Sequence, residues 1–153
     1  MTIDITLLGT GSPMADPNRA GPATLVQAGG EHYLVDCGRG VLMRLAAAGV
    51  PVGQLTAVCI THLHSDHTLG LPDLILTSWV MGRPRPLAIV GPPGTQAMTD
   101  HILAAWAEDI TVRTDGLERA IPGGQKVAVR EISSSVTVYD SAGVTITAVP
   151  VPH

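Results

Sequence analysis

The sequence predicts one layered α/β domain, on three observations. Short apolar runs with strand character alternate with helical runs through Ile110, the stretch from Lys126 to Val149 turns β-rich, and no linker, repeat or low-complexity segment divides the chain. At 153 residues, 45% of them apolar, the chain can build one sizeable core, which excludes a disordered polypeptide.

Taken in order, Ile3–Leu8 alternates and then turns apolar, as a strand entering a core does, and Gly9-Thr10-Gly11-Ser12-Pro13 breaks it as a loop. Ala23–Ala28 and His32–Asp36 flank Gly29-Gly30, a hairpin signal because both central residues can take positive φ. Val41–Ala48 carries helix formers at helical spacing and stops at Gly49 with Pro51 beyond it. Thr56–Ile60 is a short apolar strand of the kind buried on both faces. A helix is expected over Leu71–Met81, a buried strand over Pro86–Val90, and one amphipathic helix over Gly94–Ile110. Three β-rich runs follow, with turns at Ser133–Ser135 and Ser141–Gly143.

Composition narrows the function. Thirteen acidic residues against nine basic ones give a net charge of -4, and the basic residues are scattered, so this stretch shows no electrostatic footprint for nucleic acid. With no Phe, two Trp and two Tyr, the aromatic platforms of a single-strand-binding module are poorly supplied, which disfavours such a module. No charged n-region followed by an apolar run opens the chain and no stretch approaches a membrane span, so a cytoplasmic protein that does not enter a membrane is expected. Cys37 and Cys59 read as buried free thiols, with a disulfide between them as the lesser alternative.

The chemistry concentrates in His62-x-His64-x-Asp66-His67, directly after a buried strand. Imidazole nitrogen and carboxylate oxygen suit zinc, manganese and iron, and neighbouring Asp66 and His67 point apart, so one loop can serve two ions. The bland alternative is a helix N-terminus capped by Asp66 among surface histidines. His153 reads as a further ligand at a strand end, or as a terminal residue of no consequence. Asp36 reads either as a carboxylate supporting the histidines or as a strand-end turn former. Cys37 reads as a small core residue, with a zinc ligand as the lesser alternative, Cys59 as core, His32 and His101 as bland, and Gly9–Ser12 as a tight turn that lets backbone approach the site, since it lacks the Gly-Lys-Ser/Thr ending of a phosphate loop.

Leu7-Leu8-Gly9-Thr10-Gly11-Ser12, Leu34-Val35-Asp36-Cys37-Gly38-Arg39-Gly40 and Thr61-His62-Leu63-His64-Ser65-Asp66-His67 together resemble the ribonuclease Z branch of the metallo-β-lactamase superfamily. Gly70-Leu71-Pro72-Asp73 and Gly91-Pro92-Pro93-Gly94-Thr95 are similar to that branch as well. The resemblance implies an αββα sandwich of which residues 1–153 supply roughly the N-terminal half, with further ligands beyond His153 and an apolar sheet face left uncovered. It implies that His62, His64 and His153 hold one Zn2+ while Asp66 and His67 hold a second, Mn2+ or Fe2+ being alternatives. Asp66 is then both ligand and general base.

The expected activity is metal-dependent hydrolysis of a phosphodiester, first a ribonuclease Z-type cut at the 3′ end of precursor tRNA. The alternatives are a small-molecule phosphodiesterase or arylsulfatase of the same superfamily, or a non-catalytic metal-binding module. Asp16-Pro17-Asn18-Arg19 departs from the basic residue and Arg-Asn pair usual in the first loop of the tRNA-processing members. The fragment alone is expected to be inactive, and the full-length protein a homodimer.

Overall fold

The computed structural model describes residues 2–116 and 120–152. Six strands form a mixed sheet in sequence order: β1 (Ile3–Gly9), β2 (Ala23–Ala28), β3 (Glu31–Val35), β4 (Ala57–Cys59), β5 (Leu87–Gly91) and β6 (Val127–Glu131). The first three are antiparallel and the rest join in parallel. Gly29 and Gly30, at φ 60° and 80°, make the β2–β3 turn that only primed dihedrals allow. Parallel neighbours need crossovers, supplied here by the helices α1 (Val41–Ala47), α2 (Ser65–Thr68), α3 (Leu71–Val80), α4 (Thr95–Ala105) and α5 (Ala107–Asp115). A separate hairpin pairs β7 (Val136–Ser141) with β8 (Val144–Ala148).

Alternation along the strands gives the sheet two apolar faces. Leu25, Leu34, Val58 and Ile89 are fully buried on one face against Val41, Leu45, Leu71, Leu74 and Ile75 of α1 and α3. On the other, Ala28, Tyr33 and Ala57 meet Val144 of the hairpin, and Tyr33 packs edge-on against Tyr139 with ring centroids 5.0 Å apart. A mainly apolar cavity of about 1110 Å³ remains between sheet and hairpin, bounded by Val26, Val35, Cys59, Val90, Val138 and Ile146. On this same face Ile3, Ile5 and Leu7 of the edge strand β1 are more than half exposed, so the face expected to be uncovered is covered in part by the hairpin and open at β1.

Two elements depart from expectation. The single helix expected over Gly94–Ile110 is two, broken at Trp106 (φ -106°, ψ 21°), and α5 runs on to Asp115 without burying a residue. The strand expected over Thr56–Ile60 spans Ala57–Cys59, with Thr56 N–H donating to the His32 carbonyl of β3 and Ile60 N–H to the Val90 carbonyl of β5 on either side of it. Both cysteines are free thiols. Among the described residues no helix is long and apolar enough to cross a membrane.

Arg83 is buried at the foot of α3 and donates to the Ile75 carbonyl (2.8 Å), Ser78 Oγ (2.9 Å) and the Arg85 carbonyl (2.8 Å). It ties the C-terminal end of the helix that follows the histidine loop to the chain entering β5. Burial pulls its guanidinium down to about 10, still charged at neutral pH.

Candidate metal centre

The histidine loop leaves β4 at the C-terminal edge of the parallel strands, where backbone groups no longer pair with neighbours. Asp36 takes over their role. Its Oδ1 accepts the Thr61 N–H (2.9 Å), both its oxygens lie within 3.0 Å of Thr61 Oγ1, and its Oδ2 lies 2.8 Å from His67 Nδ1. A carboxylate only accepts, so His67 donates from Nδ1 and turns Nε2 the other way. Asp36 is buried with φ 62°, a conformation that costs a non-glycine residue free energy and that its three partners hold in place. Its role at the site is therefore support for Thr61 and His67 rather than a simple turn.

His64 stands at the N-cap of the four-residue helix α2, so Asp66 and His67 fall in its single turn. The His64 side chain makes no capping hydrogen bond, and Asp66, in the first turn of the helix, is buried. The side chains converge in two pairs. His62 Nε2 and His64 Nδ1 are 3.1 Å apart, and His67 Nε2 is 3.7 Å from Asp66 Oδ2. The His62 ring lies 4.6 Å from that of His64 and 4.1 Å from that of His67, centroid to centroid. Thr61 Oγ1, 2.9 Å from His62 Nδ1, orients the ring that faces both.

Two donors each about 2.1 Å from zinc at a tetrahedral angle lie about 3.4 Å apart, and at about 120° roughly 3.6 Å. The 3.7 Å between His67 Nε2 and Asp66 Oδ2 is close to those spacings, whereas the 3.1 Å between His62 Nε2 and His64 Nδ1 is shorter and lies in hydrogen-bond range. Among the described residues no three His, Cys, Asp or Glu side chains close around one point, so neither pair is a complete cage. His153, expected as the third ligand of the first ion, lies outside the described residues.

Glycines bring the supporting loops into contact. A Cβ at Gly38 would stand 2.6 Å from the Asp66 carbonyl oxygen and 2.5 Å from the Gly21 carbonyl carbon, so only glycine admits this approach. Gly9 and Gly11 likewise abut the carbonyls of Gly21 and Ala20, but Gly9 ends β1 and residues 10–12 open a long loop rather than the tight turn expected over Gly9–Ser12. Cys37 N–H donates to the His67 carbonyl, and the Cys37 carbonyl accepts from Gly70 N–H, both at 2.8 Å, so the C-terminal end of α2 is held against Cys37. The Cys37 side chain is buried in the helix-side core, and burial, then Asp73 and Asp36, push its thiol far up. Cys59 is half-buried and borders the inter-sheet cavity, so it is less enclosed than a core residue. His32 sits part-buried in β3 and His101 is exposed on α4, outside the site.

The sequence left Thr61 and Arg39 without a role. Thr61 touches both Asp36 and His62. The Arg39 guanidinium donates to the carbonyls of Ser12, Pro13 and Met14, each at 3.2 Å.

A family model described as "Anti-Pycsar protein Apyc1" matches residues 3–153. A protein named ribonuclease Z from Mycobacterium marinum is 49% identical over 99% of this chain and 54% of its own length. Human tRNase Z, short form, superposes with TM-score 0.74 at 25% identity, covering 97% of this chain and 60% of that one. The metallo-β-lactamase fold protein YhfI from Bacillus subtilis superposes with TM-score 0.58 at 30% identity, covering 66% of this chain and 41% of that one. The chain thus spans about half the length of the curated relative it matches.

Proposed function

Since the chain belongs to the family described as anti-Pycsar protein Apyc1, within the ribonuclease Z branch of the metallo-β-lactamase superfamily, we propose that it contributes the metal-binding loop of a phosphodiester hydrolase acting at the 3′ end of precursor tRNA. The observation that carries this reading is the convergence of His62, His64, Asp66 and His67 in two donor pairs at the end of β4. His62 and His64, with His153, hold one Zn2+; Asp66 and His67 hold a second, and Mn2+ or Fe2+ suit the same donors.

When bound, the two ions make a water nucleophilic near neutral pH and offset charge on the phosphoryl oxygens. The chain's own residues do the rest. Asp66 accepts the proton of the attacking water, whose oxygen forms the new bond to phosphorus as the bond to the leaving oxygen breaks. Asp36 keeps His67 Nδ1 protonated and its Nε2 turned toward Asp66. Thr61 orients His62 through Nδ1.

A second reading, hydrolysis of a small phosphodiester, is favoured by the net charge of -4 and the scattered basic residues. The experiment compares metal-loaded protein on precursor tRNA with a 3′ trailer and on bis-p-nitrophenyl phosphate, beside Asp66→Ala. Cleavage of the small diester alone moves the assignment to the second reading. Activity of Asp66→Ala close to that of the parent on either substrate would overturn both.

A further inference from the structure

Residues 91–94 carry the chain from β5 into α4 and run beside the histidine loop. Ile60 N–H donates to the Val90 carbonyl at 2.7 Å, and a Cβ at Gly91 would stand 3.3 Å from that of Ile60. A Cβ at Gly94 would come within 2.9 Å of Leu63 Cδ1. The turn thus touches the histidine loop at both ends of the stretch 60–63. Pro92 and Pro93 line the inter-sheet cavity together with Thr61, His62 and Leu63. Residues 61–64 belong to no strand or helix, and Leu63 lies between His62 and His64 in the chain. The separation of those two donors therefore leans on a turn that must itself be fixed.

The turn does not cap its own helix. Gly94, at φ 101°, is the N-cap of α4 and brings no side-chain acceptor, and the first turn holds no acidic residue. Thr95 Oγ1 beside it donates to the Pro92 carbonyl at 2.7 Å. The acceptor comes from another strand. Glu131 Oε1 takes the Gly94 N–H at 2.8 Å and the Gln96 N–H at 2.9 Å, from 37 and 35 positions away, and the helix dipole favours a carboxylate there. Glu131 also pairs with Gly91 across the β5–β6 ladder, and the N–H of the next residue, Ile132, donates to the Gly91 carbonyl at 2.9 Å. The end of β6 thus clamps the turn at its first and last members.

We propose that Glu131 is a positioning residue for the first metal ion: it pins residues 91–94 against Ile60 and Leu63 and so sets the separation of the His62 and His64 donors. This rests on the metal-dependent reading of the site. The second pair should be indifferent to Glu131, because His67 is held by Asp36 and the Asp66 backbone packs on Gly38.

The test is zinc titration of the full-length protein against a chromogenic chelator, for parent, Glu131→Ala, Glu131→Gln and His62→Ala. Loss of a donor in His62→Ala identifies which binding constant belongs to the first ion. Glu131→Ala should weaken that constant about tenfold, as removal of a ligand's outer partner does, and leave the other unchanged. Glu131→Gln loses the charge but keeps an oxygen that can accept both N–H groups, so both constants should stay near the parent's. Amide exchange at Gly94 and Gln96 should accelerate in Glu131→Ala and not in Glu131→Gln. A merely structural role would lower the metal-free thermal midpoint and weaken both constants alike. That pattern, or Glu131→Gln as weak as Glu131→Ala, would overturn the proposal. A parent that binds no zinc sinks the metal-dependent reading and the proposal together, whereas two intact sites unmoved in Glu131→Ala sink the proposal alone.

Discussion

Replacing Asp36 with asparagine isolates the contribution of a residue that touches no substrate. Asparagine matches aspartate in shape and tolerates the φ of 62° found here, so the backbone should not object. Its amide oxygen can still accept from Thr61, which places the amide nitrogen 2.8 Å from His67 Nδ1. Two N–H groups would then face each other. The imidazole escapes by moving its proton to Nε2, the atom 3.7 Å from Asp66 Oδ2, and so loses the lone pair that a metal needs. Losing such an outer partner typically costs 10- to 100-fold in metal affinity, about 1.4 to 2.7 kcal/mol. Competition of parent and Asp36→Asn protein against a chromogenic zinc chelator measures it, with the metal-free thermal midpoint as control for folding. Zinc affinity of Asp36→Asn equal to the parent's, at equal midpoint, would refute the coupling between Asp36 and His67.

Three further outcomes are expected. Arg83→Ala strips a donor from the buried Ile75 carbonyl and one from the part-buried Arg85 carbonyl, and leaves a void; at about 1 to 3 kcal/mol for an orphaned buried group plus the lost packing, a loss of about 3 kcal/mol should appear in urea unfolding. Burial, then Asp36, push the Cys59 thiol up to about 11, so alkylation of native protein at pH 8.5 should be roughly a hundredfold slower than for a free thiol. Because the folded value lies above the unfolded one, the associated stability is present below about pH 8.5 and lost as pH rises toward 11, which unfolding midpoints across that window would register. Gly38→Ala forces a Cβ to within 2.6 Å of the Asp66 carbonyl oxygen, and should cost about 1 to 3 kcal/mol of stability and weaken zinc binding by chelator competition.

What could be read from the sequence was whatever local pattern controls. Residues 57–67 announce themselves, because an apolar strand followed by four donor side chains is unusual within one short stretch. The Gly29-Gly30 turn and the β-rich end are equally local. The break at Trp106 was not legible: Ala104, Ala105 and Ala107 around it are good helix formers, and helical spacing continues across it. Asp36 stayed ambiguous because its partner His67 lies 31 positions away. Arg39 and Arg83 escaped notice for a different reason. Each is held by main-chain carbonyls, which every residue carries and which leave no trace in the amino-acid order.

The close approach of Gly21, Gly38 and Gly70 to the backbone around Asp66 and Cys37 bears on when the site can form during folding. Its walls come from segments near residues 21, 37 and 66, so the donor geometry waits for long-range docking and belongs among the late events of collapse. A peptide spanning residues 56–70 would carry every donor of the two pairs yet none of the surfaces that aim them. Transplanted into another protein's strand-to-helix turn, that peptide would bring the ligands without their angles, and the site is portable only together with the strand-loop units that end in Gly21 and Gly38.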